Sequence, residues 1–379
     1  MIPFNKPYLT GNETKYIEDA VKLGKISGNG FYTNKCHEFF KSTYRFKKVL
    51  LTTSCTHALE MAAILLDIKE NDEVIMPSFT FVSTANAFVL RGARIVFADC
   101  YVDIPNIDAD KIENLITEKT KAIVAVHYAG IACDMEKIMN LAQKYKLAVV
   151  EDAAQAIGSF YKNRPLGGIA DLGSMSFHET KNIISGEGGM LIINNEKYFK
   201  RAEIIWEKGT NRTAFFRGEV DKYGWVDIGG SFLPSEITAA FLWAQLENLK
   251  KITDRRNLLW NQYYKLLKPL ENKGIIKLPT IPSYTTSNAH IFYIICRDLE
   301  TRTKLIEFLR INGILAVFHY LSLHKSPFYK NKHDGRQLPN SDYFSDCLVR
   351  LPLFFELTLE QVSFITGKIV EFFNCSGKV

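Results

Sequence analysis

The sequence has 379 residues, of which 47% are hydrophobic and 23% charged, as in ordinary soluble enzymes, and this length predicts a large domain plus a smaller one. The net charge is only +6 and the basic pairs are scattered, which argues against nucleic acid binding. We expect a cytoplasmic protein without a membrane span, because no apolar run reaches about 18 residues, the N-terminus lacks a secretory h-region, and the seven cysteines are dispersed.

Short apolar runs alternate with amphipathic stretches between residues 49 and 194. The sequence predicts strands at 49–52, 73–77, 94–98, 122–127, 147–151, 174–178 and 189–193, and helices at 57–68, 83–90 and 135–145. Near-continuous hydrophobic strands separated by helices indicate a mainly parallel sheet covered on both faces. We therefore predict an α/β fold whose ligand lies beyond the carboxyl ends of the strands.

The remaining chain predicts a loop, two helices and a second domain. Residues 207–235 form a polar stretch with glycines and aromatic residues that is too long for a plain connection, so we expect a functional loop or a partner contact. Helices are predicted at 236–250 and 253–267. The predicted domains are residues 1–250 and 251–379.

Polar residues that carry reactive or hydrogen-bonding groups stand at the ends of three predicted strands. They are Asp152 and Gln155; Ser176, His178 and Lys181; and Ser54, Cys55 and Thr56. In the third group we expect Thr56 to cap the following helix, whose free N–H groups would face an anion. Taken singly, each group has an ordinary explanation, because most loop lysines are surface charges and most aspartates after strands close turns.

One cofactor, pyridoxal phosphate, requires all three groups together. Its aldehyde needs an amine, which Lys181 offers. Its ring nitrogen needs a carboxylate such as Asp152, and at about 3 Å with an effective dielectric near 20 this pair interacts by roughly 5 kcal/mol before desolvation. Its phosphate needs a helix N-terminus and polar donors, for which Cys55, Thr56 and Ser176 are the candidates.

Longer motifs carry a resemblance to a known family. They are PSFTFVSTANA (77–87), HYAG (127–130), EDAAQAIGS (151–159), SFHETKNIISGEGGM (176–190) and HYLSLH (319–324). With them the chain resembles the DegT/DnrJ/EryC1/StrS sugar aminotransferases nearly end to end, and SFHETKN followed by GEGG is the most specific match. The resemblance implies fold type I of the pyridoxal-phosphate enzymes, the aspartate-aminotransferase-like architecture, with a large mainly parallel sheet domain and a smaller C-terminal α/β domain.

The resemblance also implies roles for single residues. Lys181 would be the Schiff-base lysine, Asp152 the partner of the ring nitrogen, Gln155 a neighbour of the cofactor's phenolic oxygen, and Phe81 the aromatic cover of one ring face. Ser176, with Cys55 and Thr56, would hold the phosphate.

Family members are usually homodimers with active sites at the interface, and residues 207–235 are our candidate for the segment that reaches the neighbour. Many members place an asparagine in the segment matching GGSFLPSE (229–236), where it reaches the phosphate of the neighbouring subunit. Here Ser231 stands at that place and reaches less far.

Histidines in the motifs are candidates for substrate contact, although structural hydrogen bonding is the commoner role of such residues. They are His127, His319 and His324. His178 and residues 27–30 are further candidates for the sugar or cofactor site. No metal site is predicted, because the spacing of His319 and His324 is not a usual zinc pattern and no third ligand is apparent.

The resemblance implies a ping-pong transamination with L-glutamate as the amino donor. The chain is most similar to the enzymes that make dTDP-4-amino-4,6-dideoxygalactose from dTDP-4-keto-6-deoxyglucose, through motifs such as KGTNR, FFRGEVDKYGW and AVFHY. A sugar 3-aminotransferase and a C4 enzyme of the opposite stereochemistry share the main motifs and stay open.

Three more distant functions are disfavoured by the residues. A related dehydratase would carry histidine in place of Lys181, a non-catalytic regulator would be expected to add a DNA-binding domain, and a plain nucleotide-binding protein would show G-x-G-x-x-G. The nucleotide and the destination are also open: lipopolysaccharide O-antigen, enterobacterial common antigen and a glycosylated surface protein are all compatible.

Overall fold

A computed structural model describes residues 1–376. The helices are α1 Glu13–Lys22, α2 Phe31–Tyr44, α3 Cys55–Leu65, α4 Val82–Val89, α5 Ala109–Ile112, α6 Met135–Tyr145, α7 Phe199–Trp206, α8 Arg212–Phe216, α9 Glu236–Leu246, α10 Leu249–Asn272, α11 Leu299–Ile311, α12 Pro339–Cys347 and α13 Leu359–Ser376. The strands are β1 Lys48–Thr52, β2 Glu73–Pro77, β3 Arg94–Ala98, β4 Thr120–Val126, β5 Ala148–Asp152, β6 Phe160–Tyr161, β7 Arg164–Pro165, β8 Leu172–Ser176, β9 Gly189–Ile193, β10 Phe292–Ile295 and β11 Leu348–Leu351. Short 3-10 helices occupy Glu113–Leu115, Tyr128–Gly130, Glu196–Tyr198 and Leu323–Lys325.

Seven strands form one sheet in the order β1-β9-β8-β5-β4-β2-β3. Strands β3, β2, β4, β5 and β8 pair in parallel, whereas β9 runs antiparallel to both β8 and β1. Two separate apolar cores cover the two faces, which explains why strands such as β2 are buried along their whole length. The predicted α/β fold with a mainly parallel sheet is confirmed.

The strand directions bring several chain segments to one edge of the sheet. Strands β1, β2, β4, β5 and β8 all run the same way, so the residues that follow Thr52, Pro77, Val126, Asp152 and Ser176 meet at this edge. The reversed strand β9 starts there.

Gly189, the first residue of β9, packs against the start of α3 so closely that a Cβ atom would lie 2.3 Å from the Cys55 nitrogen. The last glycine of GEGG is therefore explained by close backbone packing beside a helix N-terminus.

Helix α3 begins earlier than the sequence predicted, and its cap is a different residue. The helix starts at Cys55, and the Ser54 side chain accepts a hydrogen bond of 3.1 Å from the His57 N–H. The prediction that Thr56 caps this helix was wrong, because Thr56 already lies in the first turn. Its hydroxyl donates instead to Ser83 Oγ, 2.8 Å away.

The C-terminal part has its own apolar core around the two-stranded sheet β10–β11, built with α11, α13 and the second half of α10. The predicted domain boundary at 250/251 falls inside α10, whose Ile252 packs in the core of the large sheet while Leu259 and Leu267 pack in the smaller core. The division into 1–250 and 251–379 stays a prediction, and residues 377–379 lie outside the described residues.

The first residues of the chain lie against the C-terminal part, since the Ile2 N–H donates to the Gly313 carbonyl at 2.7 Å. Between residues 1 and 376, no helix combines the length and the apolar character that crossing a bilayer demands.

Candidate active site

A cavity of about 550 Å³ lies at the carboxyl edge of the large sheet, where residues of the C-terminal part complete its wall. This volume is typical of sites that enclose a small-molecule ligand. The predicted site residues that line it are Cys55, Thr56, Phe81, His127, Asp152, Gln155, Ser176, His178, Lys181 and His319. The residues predicted from three separate strand ends therefore share one cavity.

Lys181 enters the cavity from the loop that follows β8. Its backbone N–H donates to the His178 carbonyl at 2.9 Å, which tightens the turn that carries it. Burial lowers the pKa of the Lys181 amine; Cys55 and Asp152 oppose this shift, and the positive charge of Arg350 adds to it. A lowered pKa raises the fraction of neutral amine near neutral pH, which is the form that attacks a carbonyl carbon.

Asp152 ends strand β5 and presents a buried carboxylate to the same cavity. Its Oδ2 accepts a 2.7 Å hydrogen bond from the Thr84 hydroxyl, and its Oδ1 accepts a 3.2 Å bond from the Ala154 N–H. Among the described residues no cation pairs with it at ion-pair distance. A buried carboxylate oriented by two donors fits a protonated ring nitrogen that would supply the missing positive charge.

The start of α3 forms an anion-binding corner of the cavity. Cys55 and Thr56 occupy its first turn, where backbone N–H groups have no carbonyl acceptor within the helix, and the positive end of the helix dipole faces the cavity. Ser176, at the end of β8, adds a buried hydroxyl to the lining. These groups fit the phosphate of pyridoxal phosphate.

Gln155 is held in one orientation between the two parts of the chain. Its Oε1 accepts from the Ala129 N–H at 2.6 Å, and its Nε2 donates to the Tyr320 hydroxyl at 2.8 Å. Ala129 belongs to the HYAG motif and adopts a left-handed φ of 57° within the short 3-10 helix Tyr128–Gly130. Phe81 lines the cavity with 54% of its surface exposed, and its cover of one face of the cofactor ring stays a prediction.

The three predicted substrate histidines differ in their surroundings. His127 is fully buried, and both ring nitrogens are engaged, with Glu151 Oε2 at 3.0 Å and with the Cys133 N–H at 3.2 Å. His127 therefore connects Glu151 of β5 with the loop at Cys133, and neither ring nitrogen is free for a substrate.

His319 lines the cavity, where its Nδ1 meets the Tyr128 hydroxyl at 2.6 Å and its ring stacks on Tyr320. His324 is buried outside the cavity lining, with its Nδ1 2.8 Å from Ser78 Oγ, so the structure does not bring it to the cavity. Ser231 lies exposed in the loop before α9 and outside the cavity lining of its own chain. Its predicted reach to a neighbouring subunit stays a prediction.

Several residues of the site were missed by the sequence analysis. Thr84 and Tyr320 belong to the quoted motifs PSFTFVSTANA and HYLSLH. The position of Thr84 in the predicted helix, and that of Tyr320 directly after His319, could have indicated them. His290 and Arg350 also line the cavity, but His290 lies in the loop before β10 and Arg350 lies in β11, and no local pattern marks either of them.

Comparison with known proteins agrees with this geometry. Residues 7–370 match the model of the DegT/DnrJ/EryC1/StrS aminotransferase family. The uncharacterized protein MJ1066 of Methanocaldococcus jannaschii is 33% identical over 369 residues, 95% of each chain.

Two solved structures are similar over their full length. The aminotransferase TlmJ of Streptoalloteichus hindustanus superimposes with a TM-score of 0.91 at 26% identity, with 100% of both chains covered. Spr1654 of Streptococcus pneumoniae, in its PMP-form, gives a TM-score of 0.90 at 27% identity, covering 98% of this chain and 99% of that one. A PLP-form of Spr1654 is similar to the same degree, with a TM-score of 0.89.

Proposed function

Because the chain belongs to the DegT/DnrJ/EryC1/StrS aminotransferase family, whose members use pyridoxal phosphate, we propose that it aminates a nucleotide-linked 4-keto-6-deoxy sugar. The proposed substrate is dTDP-4-keto-6-deoxyglucose, and L-glutamate is the amino donor. The products are dTDP-4-amino-4,6-dideoxygalactose and 2-oxoglutarate, so the amine and two electrons pass from the donor to the C4 ketone.

One observation carries the proposal: the Lys181 amine and the Asp152 carboxylate enter the same cavity, beside a helix N-terminus suited to a phosphate. Each group provides something that pyridoxal phosphate requires: a nucleophilic amine for its aldehyde, a negative charge for its ring nitrogen, and an anion-binding corner for its phosphate. Their meeting at one sheet edge follows from the shared direction of β1, β5 and β8.

The chemistry assigns each side chain a separate task. When bound, the cofactor supplies an electron sink that stabilises negative charge at the donor's α-carbon. Lys181 would hold the cofactor through its amine and, when that amine is free, would move a proton at the donor's α-carbon. Asp152 keeps the ring nitrogen protonated, and Thr84 holds the Asp152 carboxylate towards the ring. In the second half-reaction the same Lys181 amine would deliver a proton to C4 of the sugar.

The C4 position and the product configuration are supported by the motifs KGTNR, FFRGEVDKYGW and AVFHY, which resemble the enzymes that make dTDP-4-amino-4,6-dideoxygalactose. The product would serve the synthesis of a surface polysaccharide such as a lipopolysaccharide O-antigen or enterobacterial common antigen. The proposed compartment is the cytoplasm, because all seven cysteines are free thiols and thiols persist in reducing compartments.

The proposed assembly is a homodimer with active sites at the interface. Residues 207–235 expose large apolar side chains, including Phe216 at 69% and Trp225 at 85% of their surface. Exposed apolar surface in one segment is typical of a protein contact. The same segment carries Ser231, which supports its proposed reach into the neighbouring site.

Incubation of the enzyme with dTDP-4-keto-6-deoxyglucose, L-glutamate and pyridoxal phosphate, followed by NMR of the product, tests the substrate. We expect the spectrum to show an amino sugar with an axial amine at C4, as in the galactose configuration, together with 2-oxoglutarate. Lys181→Ala in the same mixture is the matched control and should give no amino sugar. An amine at C3, an equatorial amine at C4, or no amino sugar from the wild-type protein would contradict the proposed substrate.

A further inference from the structure

Asn182 directly follows Lys181 in the chain, and its side chain is bound to the C-terminal part. Its Nδ2 donates to the Asn288 carbonyl at 2.8 Å, and its Oδ1 lies 2.9 Å from Nδ1 of His290. Both the Asn182 and the His290 side chains are buried. An amide with a partner at each end is held in one orientation, so the neighbour of Lys181 is fixed by a distant part of the chain.

The direction of the bond between Asn182 and His290 follows from the other end of the amide. The Asn288 carbonyl can only accept, so the amide turns its Nδ2 towards that carbonyl and its Oδ1 towards the ring. Because Oδ1 also only accepts, Nδ1 of His290 carries a proton and donates it. Burial lowers the pKa of His290 well below its usual range, and the charges of Lys181 and Arg256 add to this shift. The ring is therefore neutral, with its single proton on Nδ1.

The segment around Asn288 is attached to the large sheet. The Nδ2 of Asn288 donates to the carbonyls of Gln155 and Ile157, each at 2.8 Å, and its Oδ1 accepts from the His290 N–H at 3.1 Å. The side chain is fully buried beside Gly130, where a Cβ atom would lie 2.1 Å from the Asn288 Oδ1. The segment is therefore bound to the turn that follows β5, in a space that only glycine leaves open.

Arg256 of α10 holds the same segment from the C-terminal side. Its Nε donates to the Ala289 carbonyl at 3.0 Å, and another guanidinium nitrogen donates to the His290 carbonyl at 2.5 Å. Ala289 has a left-handed φ of 52°, so the backbone turns sharply between these contacts. His290 thus approaches Asn182 from a backbone that has little freedom of its own.

These contacts connect the two groups that must lie on either side of the cofactor. Asp152 ends β5, and the turn after it holds Asn288. Asn288 and His290 in turn hold Asn182, which adjoins Lys181. A misplacement of about 1 Å between reacting groups can cost around a hundredfold in rate, so an attachment of this kind bears directly on the chemistry.

We infer that Asn182 and His290 are positioning residues, which hold the Lys181 amine in the cavity through the hydrogen bond between their side chains. The inference rests on the proposed role of Lys181 as the cofactor's anchor. The alternative is that His290, which also lines the cavity, meets the substrate with its unprotonated Nε2. The two roles use opposite sides of one ring, and side-chain amides can separate them.

The test uses the full-length enzyme and variants matched to each side of the ring. His290→Asn keeps an N–H donor near the place of Nδ1, whereas His290→Gln puts its amide near the place of Nε2 and leaves the Asn182 Oδ1 without its donor. Asn182→Ala removes the other partner. Asn312→Ala is the control, because Asn312 also donates to a backbone carbonyl, that of Phe308 at 2.9 Å, but lies outside the cavity lining.

The first measurement is the rate at which the cofactor-free enzyme joins pyridoxal phosphate to Lys181 with loss of water, followed by absorbance. This rate reports the placement of the amine without donor or sugar. We expect His290→Gln and Asn182→Ala each to slow it by at least about tenfold, while His290→Asn and Asn312→Ala stay close to the wild type. The variant with both His290→Gln and Asn182→Ala should be no slower than either single variant, since all three lack the same bond.

The second measurement is the donor half-reaction with L-glutamate in the cofactor-loaded enzyme. We expect His290→Gln to lower its maximal rate more than it raises the L-glutamate concentration needed for half that rate, because a displaced Lys181 amine impairs proton movement rather than donor binding. Thermal unfolding verifies that each variant is folded, so that a loss of rate is not a loss of structure.

An equal loss in His290→Asn and His290→Gln would overturn the inference, as would wild-type rates in His290→Gln. A loss in His290→Asn alone would assign His290 to the substrate through Nε2, and additive losses in the double variant would show that the two side chains act separately. A wild-type enzyme that bonds pyridoxal phosphate at Lys181 but aminates no nucleotide sugar would contradict the proposed substrate alone, and the rates of cofactor bonding would still decide the role of the pair.

Discussion

Asp152 owes its orientation to two neighbours that differ in how readily a sequence reveals them. The Ala154 N–H is two residues away in the same turn, whereas the Thr84 hydroxyl comes from helix α4, 68 positions earlier in the chain. Thr84 in turn contacts the Thr80 hydroxyl at 2.9 Å. This buried pair of hydroxyls orients the carboxylate that we propose for the ring nitrogen, and only the folded chain shows it.

Replacing Asp152 by asparagine should keep the shape of the site and remove its charge. We expect Asp152→Asn to retain cofactor but to slow the donor half-reaction with L-glutamate by at least about a hundredfold, since each 1.4 kcal/mol of lost transition-state stabilisation is a factor of ten. Stopped-flow absorbance of the cofactor measures this rate. Asp346→Asn, at an exposed position in α12, is the control, and a near wild-type rate in Asp152→Asn would contradict the role of the carboxylate.

Single residues were predictable where a cofactor demanded a residue type next to a recognisable strand end. Lys181 and Asp152 met that condition. Arg350 did not, because no quoted motif contains it and only the fold places it in the cavity wall. His324 shows the reverse case: it stands in a quoted motif, yet the fold buries it against Ser78 outside the cavity.

At the scale of elements, the strands of the large sheet were predicted well because each is a short, largely buried apolar run. Strand β2, for instance, matches the predicted 73–77. The helices 236–250 and 253–267 were less accurate: α9 ends at Leu246, and α10 runs on from Leu249 to Asn272 across both apolar cores. The local sequence pattern does not predict the full length of α10, because this helix packs against two cores formed by distant segments.

The start of α3 shows how capping and strand packing build one corner of the site. Ser54, rather than Thr56, caps the helix, and this leaves the first-turn N–H groups of Cys55 and Thr56 facing the cavity. Gly189 brings β9 against the same turn with no room for a side chain. The last glycine of GEGG is therefore explained by close packing against the anion-binding corner.

At the scale of the whole molecule, a homodimer is the expected assembly. Burial of the apolar side chains of residues 207–235, among them Phe216 and Trp225, would stabilise it. Sedimentation velocity of the cofactor-loaded protein should give a single species of twice the 43.2 kDa chain mass. A catalytically active species with the mass of one chain would contradict the proposed interface sites.

The architecture as a whole was predictable because buried parallel strands, their spacing and the family motifs all indicate the same fold. The contribution of the C-terminal part to the cavity could not be predicted. His290, Tyr320 and Arg350 line the cavity, although they lie far along the chain from the predicted strand ends. Contacts between distant segments depend on packing that no local pattern records.

The most direct test is to reduce the pyridoxal-phosphate-loaded enzyme with borohydride, digest it and identify the labelled peptide by mass spectrometry. We expect one pyridoxyl group per chain, attached to Lys181 within SFHETKN, and no label in Lys181→Ala treated in the same way. A label on another lysine of the wild-type protein, or a loaded enzyme that yields no reducible bond, would show that Lys181 does not hold the cofactor.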